Sequence, residues 1–263
     1  MIPRLVQAGY RVVAPDMRGY GFSDKPKSVA DYRVHLLVQD CVELLEMANK
    51  EGEVEGRSQP LPPPTLVAHD WGGVVAWNLA QRHPDSIGKL VILNSPHPSM
   101  YQALLRTSPV QLMMAWYVFY FQLPLLPELM FTLQPFKAAG SMFRTRNNSY
   151  GQLDKEIIVS SWLIPGAMTA MLNYYRAFVR GIFSRALSKK NSSARARDEK
   201  IKVPTLVVWG KNDGALSQKL AQGLDKYVEN VQVHLLDGVS HWVPAESPDL
   251  AAQKIIDFLL VKD

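Results

Sequence analysis

Three places in this 263-residue sequence put reactive side chains where a short apolar strand ends. The run Thr65-Leu66-Val67-Ala68 leads directly into His69-Asp70-Trp71-Gly72-Gly73. Ala68 to Gly72 reads as small-x-Asp-x-small, a sharp strand-to-helix turn that presents its central side chain. An Asp there needs no base to activate it, because a carboxylate with a reference pKa of about 3.9 is ionised at neutral pH. Trp71 adds a backbone N–H at the start of the following helix, where unpaired amides and the helix dipole favour negative charge. Taken alone, Asp70 is equally an ordinary helix N-cap. Trp209-Gly210-Lys211-Asn212-Asp213 sets a second carboxylate just past a strand, and Gly238-Val239-Ser240-His241-Trp242 sets a histidine just past the next. Each has a bland reading, Asp213 as a turn residue and His241 as a packed histidine. In the order nucleophile, acid, histidine, the three fit covalent catalysis in which the acid orients the imidazole.

The elements that must hold these residues alternate between two periods. Pro3 to Ala8 is a short helix stopped by Gly9, and Tyr10 to Pro15 reads as a β-branched strand. Val34 to Ala48 carries apolar residues at helical spacing. Asn49 to Pro64, rich in Glu, Gly and Pro, reads as a loop on the face away from the site. Val74 to Arg82 is a helix and Lys89 to Leu93 a strand. Met100 to Phe183 is helical and aromatic, without strand alternation. Pro204 to Gly210 resumes the strands, Leu216 to Tyr227 reads as helical, Val231 to Leu236 as a strand, and Leu250 to Leu260 as a closing helix. Strands alternating with helices make an α/β fold with a mostly parallel sheet, whose sites lie at the carboxyl ends of the strands. The expected organisation is a core from residues 1–99 and 185–263 with an inserted helical cap at 100–184.

With 47% hydrophobic and 20% charged residues, the chain is not mainly disordered, collagen-like or a coiled coil. Its single cysteine, Cys41, excludes an intramolecular disulfide framework and a Cys-rich zinc site. No metal-ligand spacing is present, and no cofactor is expected. A net charge of +5, not gathered on a recognition motif, argues against nucleic acid as a partner. The start of the chain has no signal-peptide pattern. The most apolar stretch, Val110 to Leu133, is broken by Gln122, Pro124, Pro127 and Glu128, so buried or lid helices are expected in place of a membrane span. The expected location is the cytoplasm or the cytoplasmic face of a membrane. Basic residues between Ser184 and Lys200 read as a solvated loop, with contact to an anionic membrane surface as the sharper alternative.

Nucleophile, acid and histidine follow one another in the chain order of α/β-hydrolases. The sequence resembles the epoxide hydrolase branch of that superfamily, epoxide hydrolase 3/4-like, over nearly its whole length. The resemblance rests on Arg18-Gly19-Tyr20-Gly21-Phe22-Ser23-Asp24, His69-Asp70-Trp71-Gly72-Gly73, Asn94-Ser95-Pro96-His97-Pro98, Tyr117-Val118-Phe119-Tyr120-Phe121-Gln122, Asn173-Tyr174-Tyr175-Arg176 and Ser240-His241-Trp242. It implies that Asp70 attacks an epoxide carbon to form an alkyl-enzyme ester, and that His241, oriented by Asp213, activates the water that hydrolyses it. It implies two cap tyrosines that protonate the opened ring, matched to Tyr117 and Tyr175, with Tyr120 and Tyr174 as close neighbours of each. Trp71, Phe22, His97 and Tyr120 are the expected substrate-binding residues around an apolar pocket, with His97 also expected to close its loop. Substrate and partner are then a small lipophilic epoxide and water; the oligomeric state is left open. A haloalkane dehalogenase-like enzyme also uses an Asp nucleophile, and a non-catalytic α/β scaffold is a third reading.

The resemblance also carries an expectation of N-terminal truncation. Full members have several strands and a His-Gly-x-Pro loop before the helix at which this sequence opens. The first strands and that oxyanion loop are expected to be missing, one strand lying between Tyr10–Pro15 and Thr65–Ala68. Such a loss leaves buried backbone groups unpaired at about 1–3 kcal/mol each. One absent oxyanion donor costs roughly 10²–10³ in rate in acyl chemistry.

Overall fold

A computed structural model describes residues 1–54, 62–143, 150–187 and 199–261. Its chain order is α1 (Ile2–Gln7), α2 (Val34–Val54), β1 (Thr65–His69), α3 (Asp70–Arg82), β2 (Lys89–Leu93), then seven helices before β3 (Thr205–Gly210), β4 (Val231–Leu236), α11 (Val243–Glu246) and α12 (Pro248–Leu260). The seven, counted among the described residues, are α4 (Pro98–Thr107), α5 (Pro109–Met114), α6 (Trp116–Tyr120), α7 (Leu126–Leu133), α8 (Pro135–Met142), α9 (Gln152–Trp162) and α10 (Ala167–Leu187).

The four strands form one parallel sheet in the order β1-β2-β3-β4. Successive strand side chains point to opposite faces. Leu90, Ile92, Val207 and Trp209 therefore pack with Trp77 and Leu37 on one side, while Val91, Leu93, Leu206 and Val208 pack with Ile255 and Phe258 on the other. Burial on both faces explains the uninterrupted apolar runs of β2 and β3. Parallel pairing also brings the carboxyl ends of β1, β3 and β4 to one edge, which is where the three candidate residues stand. The intervening helices have a core of their own, built from Phe121, Phe131, Val159, Trp162, Met168 and Leu172.

Several expectations are corrected here. Tyr10 to Pro15 is not a strand: its β-branched residues suit one, but no described strand pairs with it, and a strand exists only through its ladder. α2 continues past Ala48 to Val54, so the start of the expected loop is helix; residues 55–61 lie outside the described residues. Leu216 to Tyr227 holds two short 3₁₀ turns, Gln218–Ala221 and Leu224–Lys226, separated by Gly223 at φ +72°. Its Leu216, Leu220 and Leu224 are buried, so the apolar spacing reports burial without a continuous helix. The stretch from Val110 to Leu133 is helical but not buried throughout, and Trp116, Leu125 and Leu133 are among its exposed side chains. No single described helix is long and apolar enough to cross a membrane. Most of the basic stretch from Ser184 to Lys200 lies outside the described residues, the exceptions being the end of α10 and Glu199-Lys200.

Candidate active site

Asp70 sits where β1 hands over to α3. His69 is extended at φ −128°, and Asp70 turns to φ +48°, a conformation L residues rarely adopt. Ser95 Oγ donates to the Asp70 carbonyl at 2.7 Å and holds the turn from the next strand end. The steric need for small residues falls chiefly on Gly73. A Cβ there would lie 2.3 Å from Ser95 Cβ, whereas one on Gly72 would meet nothing closer than 3.9 Å. Gly210 plays the matching part at the end of β3. A Cβ on it would stand 2.1 Å from the Ser240 carbonyl oxygen, so glycine lets the loop carrying His241 close over the strand.

Asp213, in the loop just past β3, is buried and saturated with donors. Its Oδ1 accepts from the Ala215 and Leu216 amides at 2.8 and 2.9 Å, and its Oδ2 from Asn94 Nδ2 at 2.7 Å and His241 Nδ1 at 2.8 Å. The other imidazole nitrogen, His241 Nε2, stands 3.3 Å from Asp70 Oδ1. One ring thus bridges two carboxylates. Burial by itself would lower the His241 pKa, but Asp213 and Asp70 outweigh it and raise it to about 10. Burial pushes Asp70 upward; the hydrogen bond and charge of His241, helped by the Trp71 amide, win and hold it below the usual carboxylate value. The Asp70 side chain remains 39% exposed.

A cavity of about 550 Å³, counting the open solvent at its mouth, lies over Asp70. Trp71, Tyr117 and Tyr175 line it together with Pro98, Tyr101 and Phe178. Trp71 and Tyr175 meet edge to face at 5.0 Å between ring centres, and Tyr117 meets Tyr175 the same way at 5.8 Å. Burial first, with Asp70 and their neighbouring phenols adding to it, raises both tyrosine pKa values well above 10, so both phenols keep their protons beside the carboxylate.

The structure separates the ambiguous tyrosines. Tyr174 points away from the cavity and donates to the Arg18 carbonyl at 2.6 Å. Tyr120 does not line the cavity; its hydroxyl donates to the Leu126 carbonyl at 3.4 Å. Phe22 is 95% exposed and is likewise outside the lining. His97 is buried outside the lining, where Nδ1 accepts from the Ser99 amide at 3.3 Å and the ring stacks on Tyr227 at 4.6 Å. It closes the loop after β2 and does not bind from the cavity wall.

Four residues escaped the sequence reading. His69 Nε2 donates to the His241 carbonyl at 2.9 Å, and burial first, then His241, lowers its pKa to about 4, so it is neutral with its proton on Nε2. Asn94 also receives the Gly210 amide on its Oδ1 at 2.7 Å. Buried Gln111 of α5 donates to the Ala215 carbonyl at 3.0 Å and accepts from the Ser217 amide at 2.9 Å, tying the helical block to the Asp213 loop. Tyr101 joins the cavity wall, its pKa raised to about 12 by burial and Asp70. His69 adjoins Asp70 and Asn94 directly follows β2, so position hinted at these two; nothing local marked Gln111. Among the described residues, no group of three His, Cys, Asp or Glu side chains could hold a metal ion.

The family model for the alpha/beta hydrolase fold matches residues 1–248. The chain is 35% identical to the AB hydrolase superfamily protein YfhM of Bacillus subtilis, over 98% of this chain and 83% of that protein. It is 34% identical to epoxide hydrolase 3 of Xenopus tropicalis, over 95% of this chain and 64% of the relative. It is 31% identical to epoxide hydrolase 4 of Homo sapiens, over 97% and 67%. The chain thus spans about two thirds of the length of these two vertebrate proteins. Among solved structures, a mutant epoxide hydrolase from Bacillus megaterium, complexed with its diol product, superposes with a TM-score of 0.74 at 27% identity, covering 93% of this chain and 82% of that one.

Proposed function

The chain belongs to the α/β-hydrolase family as an epoxide hydrolase-like member, and we propose that it opens lipophilic epoxides to vicinal diols through an ester on Asp70. The observation that carries this reading is the His241 ring held between Asp213 and Asp70, 2.8 and 3.3 Å away, beneath two protonated phenols. In this reading residues 100–184 are a cap over a core made of 1–99 and 185–263.

The chemistry closes on itself. Asp70 attacks an epoxide carbon; the C–O bond of the ring breaks and an ester forms. Tyr117 or Tyr175 protonates the oxygen that leaves, and the proton held on His241 restores that phenol. Forming the ester removes the negative charge on Asp70, one of the two charges that raise the His241 pKa. The imidazole, now neutral and oriented by Asp213, takes a proton from water as its oxygen attacks the ester carbonyl carbon. Collapse breaks the ester C–O bond. The acid proton passes to the departing oxygen, and the diol leaves a carboxylate and an imidazolium behind. Trp71 supplies an amide beside the reacting carboxylate. The apolar, aromatic lining favours a lipophilic substrate.

The test is incubation of the chain with an aryl epoxide. Diol release by the wild type, none by Asp70→Ala, and one substrate mass added to the Asp70 peptide of His241→Gln would support the ester route. Absence of both diol and adduct, or halide release from bromoalkanes by a chain inert to epoxides, would refute it.

A further inference from the structure

We infer that the outer face of α6 and α7, with the loop that joins them, docks on the surface of a phospholipid bilayer. Exposed apolar side chains are concentrated there at helical spacing. On α7, Leu126, Leu129, Met130 and Leu133 follow the i, i+3, i+4, i+7 pattern of one helix face, and all four are exposed, Leu133 to 74%. On α6, Trp116 is 63% exposed and Phe119 also faces outward. Tyr120 links the two stretches, its ring 6.1 Å from Trp116 and its hydroxyl on the Leu126 carbonyl. A contiguous apolar face of this kind on a water-soluble surface marks an interaction site.

Charge selects the occupant. From Ser108 to Phe136 the only charged residue is Glu128, and Arg176 neutralises it beneath the surface at 2.7 Å. The stretch is flanked by Arg106 and Lys137, both exposed, neither with an ion-pair partner among the described residues. An uncharged apolar face with an indole and a phenol at its edge, bounded along the chain by exposed cations, matches the chemistry of an interfacial surface. A second copy of this chain, packed about a two-fold axis, would present the same uncompensated cations again. Anionic headgroups would complement them.

The loop is built for that environment. Leu125, 71% exposed at φ +64°, stands at its tip. Beneath it, Arg176 donates to the Phe121 and Leu123 carbonyls at 3.0 Å each, so those backbone acceptors enter a low-water region already paired. The face also backs onto the cavity: Tyr117 and Val118 of α6 line the cavity while their neighbours Trp116 and Phe119 face out. The inference does not depend on the reaction proposed above.

Flotation of the full 263-residue chain with vesicles of phosphatidylcholine, alone or with a minority of phosphatidylserine, tests it. The wild type is expected to float with both, more with phosphatidylserine. Leu125→Glu/Leu129→Glu/Leu133→Glu is expected to lower the bound fraction about tenfold with an unchanged circular dichroism spectrum. Arg106→Glu/Lys137→Glu should remove only the phosphatidylserine increment. Should the triple variant not fold, Leu125→Glu at the exposed tip gives the same reading with a smaller loss. Wild-type protein that stays unbound, apolar-face variants that bind as the wild type does, or a wild-type dimer that fails to float and becomes monomeric in the triple variant would each overturn the inference.

Discussion

Asn94 and His241 converge on a single oxygen of Asp213, Asn94 Nδ2 at 2.7 Å and His241 Nδ1 at 2.8 Å. Asn94 follows β2 directly at φ +37°, and its side-chain Oδ1 accepts from the Gly210 amide, where Asp213's strand ends. The acid is thus positioned by the neighbouring strand as well as by its own loop. Asn94→Ala removes a hydrogen bond to a charged, buried group, a loss of about 1.5–3 kcal/mol. Asn94→Asp adds a like charge beside Asp213 and should cost more. Denaturant unfolding of both variants, with diol formation measured alongside, checks the order; an Asp variant as stable and active as the Ala variant would contradict it.

The two phenols over Asp70 and the one that turns away predict opposite outcomes. Tyr117→Phe and Tyr175→Phe should each slow ester formation by about 10², the usual scale for a positioned acid. Tyr174→Phe should leave ester formation intact and cost about 1 kcal/mol, because its hydroxyl serves the Arg18 carbonyl. Single-turnover kinetics with an aryl epoxide separates them.

Stability should peak near neutral pH for an identifiable reason. The folded His241 pKa, about 10, exceeds its unfolded value near 6.5, so its contribution is fully present below about 6.5 and is lost as pH rises towards 10. His69 and His97, both lowered to about 4, behave oppositely: each contributes above about 6.5 and loses its contribution as pH falls towards 4. Each histidine adds at most about 1.4 kcal/mol per pH unit, so the acid side, with two of them, reaches about 2.8 at most. Melting temperatures across pH 4–10 should fall on both sides of neutrality, and His241→Gln should flatten the alkaline side. An unchanged alkaline slope in that variant would remove His241 as its cause.

Gln111 couples the helical block to the Asp213 loop through both ends of its amide. Gln111→Leu leaves the Ala215 carbonyl and the Ser217 amide unpaired, at about 1–3 kcal/mol for each group that stays buried. Hydrogen exchange at Ala215 to Ser217 should quicken while the β2 amides stay protected. Equal quickening in both places would mean global destabilisation instead.

Phe22, exposed and outside the cavity, should tolerate Phe22→Ala within about 0.5 kcal/mol and without change in KM. A raised KM would return it to the binding surface.

The features legible in the sequence are those governed by neighbours along the chain. Small residues around Asp70, glycine after the Trp209 strand end, and buried apolar runs carry steric and burial demands that a short segment expresses by itself. They located the turns that hold Asp70, Asp213 and His241. Whether those turns share one site depended on the parallel pairing of strands up to 115 positions apart, as Leu90 with Thr205, which sets their carboxyl ends side by side. Side-chain direction was equally beyond local reading. Tyr174 and Tyr175 are adjacent in the chain, yet successive residues on a helix project about 100° apart, and only packing against Trp71 and Arg18 assigns one to the cavity and the other to a backbone carbonyl. The Tyr10–Pro15 run has strand composition but no ladder, because pairing comes from another part of the chain. The stretch from Val110 to Leu133 has the composition of a core, yet its tertiary neighbours cover only one side, and the other faces outward. Composition registers how apolar a segment is; what lies against it is decided by the rest of the fold.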